Sequence, residues 1–173
     1  NKYEYFRGSK TDVLSRIYNS VKKYKPEKIL RITSDCPFID ANVCSQLILL
    51  YDNENADYVT NTAVNTWPDG LDCEVIKFSV LEQAFKKAKI LSDREHVTPW
   101  IKANQYTFRN FNLDCPYKNF SNFRWTIDTA SDYKFMREVV KKFPNNKIMN
   151  YIELSNYLLN NPKIQKINSL NKR

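Results

Sequence analysis

One stretch, RITSDCPFID from Arg31 to Asp40, does most to limit what this chain can fold into. It begins inside an apolar run at 28–33, breaks at Ser34-Asp35, turns at Pro37 and reaches Asp40 where a helix N-cap belongs. A buried strand feeding a capped helix through a short loop is the unit of open α/β folds, which gather ligands at the carboxyl ends of their strands. Asp35 stands at such an end. A second stretch, RWTIDTASDYKF from Arg124 to Phe135, places Asp128 in the same way after a predicted strand at 122–128. Read singly, each acid is either a turn aspartate bonded to its own backbone or a metal ligand, and Thr129 with Asp132 already supplies a capping box after Asp128. Read together, two strand-end carboxylates suit a hydrated divalent cation carrying a phosphorylated substrate.

Strand and helix patterns alternate along the rest of the chain. Residues 3–6 read as a short strand. Ser9-Lys10-Thr11-Asp12 reads as a capping box before a helix with Val13, Leu14, Ile17, Tyr18 and Val21 on one face, ended by Pro26. The helix after Asp40 turns Val43, Leu47, Leu50 and Tyr51 to one side. Residues 57–61, 73–78 and 106–113 are predicted strands, and 80–89 a lysine-rich helix. Ser92 opens a capping box before a short helix, and helices follow at 131–143 and 151–159. This alternation predicts an α/β sandwich with a mostly parallel sheet. No repeat or linker divides it, so residues 1–160 read as one domain. Residues 161–173 read as a basic tail with Lys163, Lys166, Lys172 and Arg173 and no acid.

Composition excludes several functions. The net charge of +8 is scattered outside the tail, which argues against nucleic acid as a partner and leaves a solvated surface with a mild pull on anionic substrates. No apolar run approaches the ~20 residues of a membrane span, and no signal peptide opens the chain. The four cysteines, Cys36, Cys44, Cys73 and Cys115, lack a C-x-x-C pair and read as reduced packing residues of a cytoplasmic protein. A single histidine and no serine in a nucleophile elbow leave no hydrolase triad. Neither a P-loop nor G-x-G-x-x-G occurs.

Three further segments carry polar chemistry. WPDGLDCE sets Asp69, Asp72 and Glu74 around Gly70, one of only two glycines. Asp69-Gly70 is an ordinary turn signal, while Asp72 and Glu74 share one face of the coming strand and point to a cleft that could bind sugar hydroxyls. In Asp93-Arg94-Glu95-His96, Glu95 is the capping partner of Ser92. Arg94 can pair an anion through two donors, and His96 is either a structural histidine or an acid/base. FRGS, Phe6 to Ser9, opens the first helix, where backbone N–H groups can meet a phosphate or a base edge.

FRGSKTDVLSR, RITSDCPFID, NTWPDGLDCEVI, SDREHVTPWI and FRWTIDTASDYKF, in this order, resemble the cytidylyltransferases that make CMP-activated sugar acids. The resemblance is closest to the spore coat polysaccharide biosynthesis F-type branch, beside the CMP-KDO and acylneuraminate enzymes, and covers most of residues 6–140. It implies a nucleotide-diphospho-sugar-transferase-like α/β sandwich and attack of a sugar-acid hydroxyl on the α-phosphorus of CTP. Asp35 and Asp128 would be catalytic and hold Mg2+. Arg7, Gly8, Ser9 and Asp12 would line the nucleotide pocket, and Asp69, Asp72, Glu74, Arg94 and His96 the sugar side. The family's opening A-R-x-x-S-x-R-L-x-x-K phosphate loop has no counterpart here. The expectation is therefore a C-terminal portion lacking N-terminal nucleotide-binding β-α units, inactive alone, weak toward CTP, and with apolar sheet edges where central strands are missing. Relatives commonly dimerise, and the aromatic region 106–123 is either an interface or core. A sugar-1-phosphate nucleotidyltransferase or glycosyltransferase of the same fold, and a non-catalytic glycan-binding remnant, are the alternatives.

Overall fold

A computed structural model describes residues 3–143 and 150–171. Lys172 and Arg173 of the predicted tail lie outside the described residues. Helix α1 (Val13–Val21) is capped by Asp12, whose carboxylate accepts from the Ser15 N–H, while the Ser9 hydroxyl accepts from the Asp12 N–H. The cap is therefore Asp12, three residues after the expected Ser9. Strand β1 (Lys28–Ile32) leads to α2 (Ala41–Asn53), capped by Asp40 as the sequence predicts. Then come β2 (Tyr58–Thr60), β3 (Cys73–Lys77), α3 (Phe78–Lys87), α4 (Leu91–His96), α5 (Pro99–Ala103) and β4 (Asn110–Asn112). Helices α6 (Ala130–Lys142), α7 (Tyr151–Asn160) and α8 (Pro162–Gln165) close the chain.

Among the described residues, four strands form one sheet in the order β1-β3-β2-β4. β1, β2 and β4 run one way, and β3 runs against them, so two of the three pairings are antiparallel. The sheet is mixed, and the reason lies in residues 61–72. They contain no helix, and a parallel return needs a crossover, so the chain folds back as a wide hairpin. The strands predicted at 3–6 and 122–128 do not form. The second reduces to one bridge between Asp69 and Arg124, because Trp125 donates its N–H to the Asp69 carbonyl at 2.5 Å and Asp69 donates to Phe123 at 3.0 Å.

The sheet is covered on both faces, as its near-continuous apolar strands require. Val59 and Val75 face a core with Leu47 and Tyr51 of α2, Trp67, Phe123, Trp125, and Phe135 and Leu158 from α6 and α7. Tyr58 and Ile76, their neighbours in sequence, face a second core with Leu14, Leu81, Val97 and Ile101 from α1, α3 and the α4–α5 region. Phe108 and Phe120 of the aromatic region are buried in these cores, while Tyr106 and Tyr117 stay exposed. At the outer edge of β1, Leu30 and Ile32 are 36% and 44% exposed. Among the described residues no helix is long and apolar enough to cross a membrane.

The segment from 161 to 171 packs into the domain. Buried Asn168 donates to the Arg124 carbonyl at 3.0 Å and to Asp132 at 2.9 Å, and Asn171 donates to Asp132 at 3.0 Å.

Candidate functional site

Beyond the carboxyl end of β1, a polar cleft of about 420 Å³ opens between the loop after Ile32, the turn before β3 and the start of α5. Its walls include Asp35, Asp69, Asp72, Glu74 and His96, which sequence analysis singled out. They also include Arg31, Thr33, Thr62, Asn65, Thr98, Lys102 and Thr126, which it did not. A larger groove of about 650 Å³ runs along α6 past Ile127, Tyr133, Met136 and Val140. It holds cations but no carboxylate, so the smaller cleft is where acid–base and metal chemistry can occur.

Asp35 lines the cleft. The Thr126 hydroxyl donates to its carboxylate at 3.2 Å, and the Ile127 N–H donates to its carbonyl at 2.9 Å, stitching the loop after β1 to the 124–128 segment. Partial burial pushes the Asp35 carboxyl up, but hydrogen bonds from Thr33, its own backbone, Thr126 and Cys36 outweigh this and leave it below the usual range. It is ionised at neutral pH. Beside it, burial pushes the Cys36 thiol up to about 11, so no thiolate nucleophile is present there.

Asp128 does not line the cleft. Its side chain is 52% exposed and accepts from Arg124 at 2.5 Å. The same guanidinium reaches Asp69 at 2.6 Å and Asp132 at 3.0 Å, so Arg124 links the cleft wall to the acid beyond Ile127 and to the first turn of α6. Asp132 is fully buried. Burial raises its carboxyl, but Arg124, Asn168, Asn171 and Thr129 more than offset this and hold it far below the usual range.

Among the described residues, no group of three or more His, Cys, Asp and Glu side chains is placed to hold a metal ion. Asp35 and Asp128 lie on stitched loops and offer hard carboxylate oxygens. Asp128 lies outside the cleft with one oxygen on Arg124, so the two form no all-protein cage, and Asp35 by itself suits a cation that keeps most of its ligands as water and substrate oxygens.

Arg7, Gly8, Ser9, Asp12 and Arg94 are not brought to this cleft. Arg94 grips Asp12 through two bonds of 3.0 and 2.6 Å and donates to the Phe85 carbonyl at 2.7 Å, so two residues expected on different sides of the site instead clasp α1 to α4. The capping box expected at Ser92 is also absent, because α4 begins two residues earlier, after Ile90, with no side-chain cap.

Two backbone features shape the walls. Gly70 has φ +113°, and a Cβ there would lie 2.5 Å from the Trp125 carbonyl carbon, so only glycine lets the turn lie against the 123–126 segment. Val97 has φ +76° and ψ −53°, and the Thr98 N–H donates to the His96 carbonyl at 2.9 Å. This is a γ-turn at a β-branched residue, a strained conformation of the sort that clusters at functional sites. It sets His96 and Thr98 on the cleft wall.

Comparison with known proteins agrees with this architecture. Residues 3–167 match the family model described as Cytidylyltransferase. “Uncharacterized protein MJ1063” of Methanocaldococcus jannaschii is 38% identical over 165 residues, covering 95% of this chain and 66% of that protein. The spore coat polysaccharide biosynthesis protein SpsF of Bacillus subtilis is 29% identical over 163 residues, covering 92% of this chain and 66% of that protein. The chain thus spans 66% of the length of each of these relatives. A cytidylyltransferase structure from Leptospira borgpetersenii serovar Hardjo-bovis superposes with a TM-score of 0.86 at 30% identity, over 93% of this chain and 68% of that one. The fold is therefore the nucleotide-diphospho-sugar-transferase-like sandwich, and the match over residues 3–167 shows that the chain belongs to the cytidylyltransferase family.

Proposed function

We propose that the cleft is the acceptor side of a site that transfers cytidylyl from CTP to a sugar acid, giving a CMP-sugar and pyrophosphate. The acceptor hydroxyl oxygen bonds to the α-phosphorus, the bond from that phosphorus to the pyrophosphate oxygen breaks, and the hydroxyl proton is released. The observation that carries this reading is the ionised Asp35 on the cleft wall, stitched to the 124–128 segment, in a cleft whose one cysteine thiol is held protonated. Phosphoryl-type transfer asks a protein mainly for positioning and charge neutralisation. Asp35 would hold Mg2+ at the cleft, with Asp128, on release from Arg124, as its second carboxylate; the ion when bound neutralises phosphate charge and polarises the phosphoryl group. Asp69, Asp72 and the threonines of the cleft orient the sugar hydroxyls, with His96 beside them.

The exposed outer edge of β1 supports reading these residues as part of a larger sheet, to which the nucleotide grip belongs. The SpsF relative supports a role in surface-polysaccharide synthesis. The four free cysteines support a reducing, cytoplasmic setting.

Pyrophosphate release from CTP and a sugar acid, measured with the full-length protein that contains these residues, tests the reading. Release should require Mg2+ and fall at least ~100-fold in Asp35→Asn, the scale expected for loss of transition-state charge stabilisation. Undiminished release in that variant would sink the assignment.

A further inference from the structure

Helix α4 has little of its own to keep it in place. It is six residues long, well below the ~12–15 at which an isolated helix begins to hold in water, and it has no side-chain cap and no buried residue. Leu91 is 84% exposed and Ile90 before it 67%, so apolar burial does not seat it. Within the helix only Asp93 and Arg94 turn partly inward. Yet its last residue, His96, forms part of the cleft wall. His96 is itself exposed, so the backbone beneath it decides where the ring stands.

Arg94 supplies the missing seat. Its guanidinium meets the Asp12 carboxylate through two bonds, 3.0 Å from Nε and 2.6 Å from Nη2, the planar match that a lysine cannot make. Nη1 donates to the Phe85 carbonyl at 2.7 Å and to the Ala88 carbonyl at 3.5 Å, both at the end of α3. The guanidinium also lies over the Phe85 ring, 5.1 Å from its centre. One side chain thus ties α4 to the cap of α1 and to the last turn of α3.

The strained turn follows at once. Val97 is fully buried in the second core, and the Thr98 hydroxyl is fastened to Glu74 at 2.8 Å. A backbone held at such a φ persists only where its surroundings over-determine it. Val97 and Thr98 fix the turn and what comes after it. What comes before it, His96 included, is fixed by the clasp.

We propose that Arg94, gripped by Asp12, is a positioning residue that acts through α4 to keep His96 on the cleft wall, and that neither Arg94 nor Asp12 touches substrate. The inference rests on the function proposed above for what the cleft receives. Under the family resemblance, Asp12 would instead touch the nucleotide and Arg94 the sugar.

The test uses the full-length protein and two conservative variants. Asp12→Asn keeps a side chain that caps α1 and removes the charge and the second oxygen that the guanidinium uses. Arg94→Lys keeps the charge but cannot span Asp12 and the Phe85 carbonyl together. The reporter is the imidazole proton resonance of His96, identified by its loss in His96→Gln and recorded at pH 7 where circular dichroism shows each protein folded. One sharp line is expected in the unmodified protein. It should broaden or split in both variants, with no further change in the double variant, because both cut one link. Pyrophosphate release is measured with 3-deoxy-D-manno-octulosonate or N-acetylneuraminate, whichever is turned over faster. KM for that acid should rise at least fivefold in each variant, and KM for CTP should stay within twofold. An unchanged His96 line in the folded variants overturns the inference. So does a raised KM for CTP with an unchanged KM for the acid, which would make Asp12 a nucleotide contact. Asp12→Asn is the milder change and keeps the test open if Arg94→Lys fails to fold. Without release from either acid the transfer reading loses its support, and the His96 line alone then decides the inference.

Discussion

Gly70 and Glu74 lie four residues apart along one turn and strand, and each can be probed singly. A methyl group at position 70 meets backbone atoms of Trp125 and Thr126, which cannot rotate away as a side chain could, and does so at a φ that L-residues avoid. Gly70→Ala should cost about 3 kcal/mol or more, a fall of roughly 6–12 °C in Tm by thermal melting for a chain of this size. At Glu74, burial pushes the carboxyl up, but Arg31, Lys102, Tyr58 and Thr98 together hold it below its usual value. Below its unfolded pKa of about 4.3 the unfolded chain takes up the proton more readily than the folded one. Its contribution is therefore present above that value and lost as pH falls through the lower folded value. Denaturant midpoints should be level from pH 7 to 5 and drop below about pH 4, with Glu74→Gln removing part of the drop and costing about 3–5 kcal/mol at pH 7. The acids of this cleft were legible because strand ends and WPDG turns announce themselves locally. Arg31 was not, since its partner is 43 residues away and an arginine within Ile-Leu-Arg-Ile looks like a surface residue. Lys102, one lysine among many, carried no local signal.

Helix α6 shows how an element borrows its anchor from elsewhere. Its Thr129–Asp132 capping box forms as the sequence predicts, yet the same Asp132 also receives Arg124, Asn168 and Asn171. Removing either partner of such a buried pair leaves an uncompensated charge, at a cost of about 3–5 kcal/mol. Arg124→Met and Asp132→Asn should each show that loss in urea unfolding. The double variant should cost clearly less than the two together, because the groups share one network. Additive losses would mean that the pair is not coupled. Most helices were readable from apolar spacing and caps, since both signals lie within one or two turns. The direction of β3 is not legible in the sequence. Its alternation of Cys, Val, Ile and charge is the same for either orientation, and only the missing crossover helix in 61–72 sets it.

At the scale of the molecule, the mixed sheet separates two cores and gives the cleft walls from four distant parts of the chain: 31–36, 62–74, 96–102 and 126. The α/β sandwich was legible because alternation survives averaging over many residues, whereas the order of strands depends on pairings that no local pattern encodes. The place of β3 between β1 and β2 also has a meaning in time. A ribosome that has released the chain as far as Gly70 has made two strands that never touch and has not yet made the one that joins them. Every wall of the cleft waits for a later segment, and the stitch from Asp35 to Thr126 and Ile127 comes last among them. During synthesis, then, the Asp35 loop emerges early and stays without its mate for more than half of the chain's length, until Thr126 and Ile127 arrive.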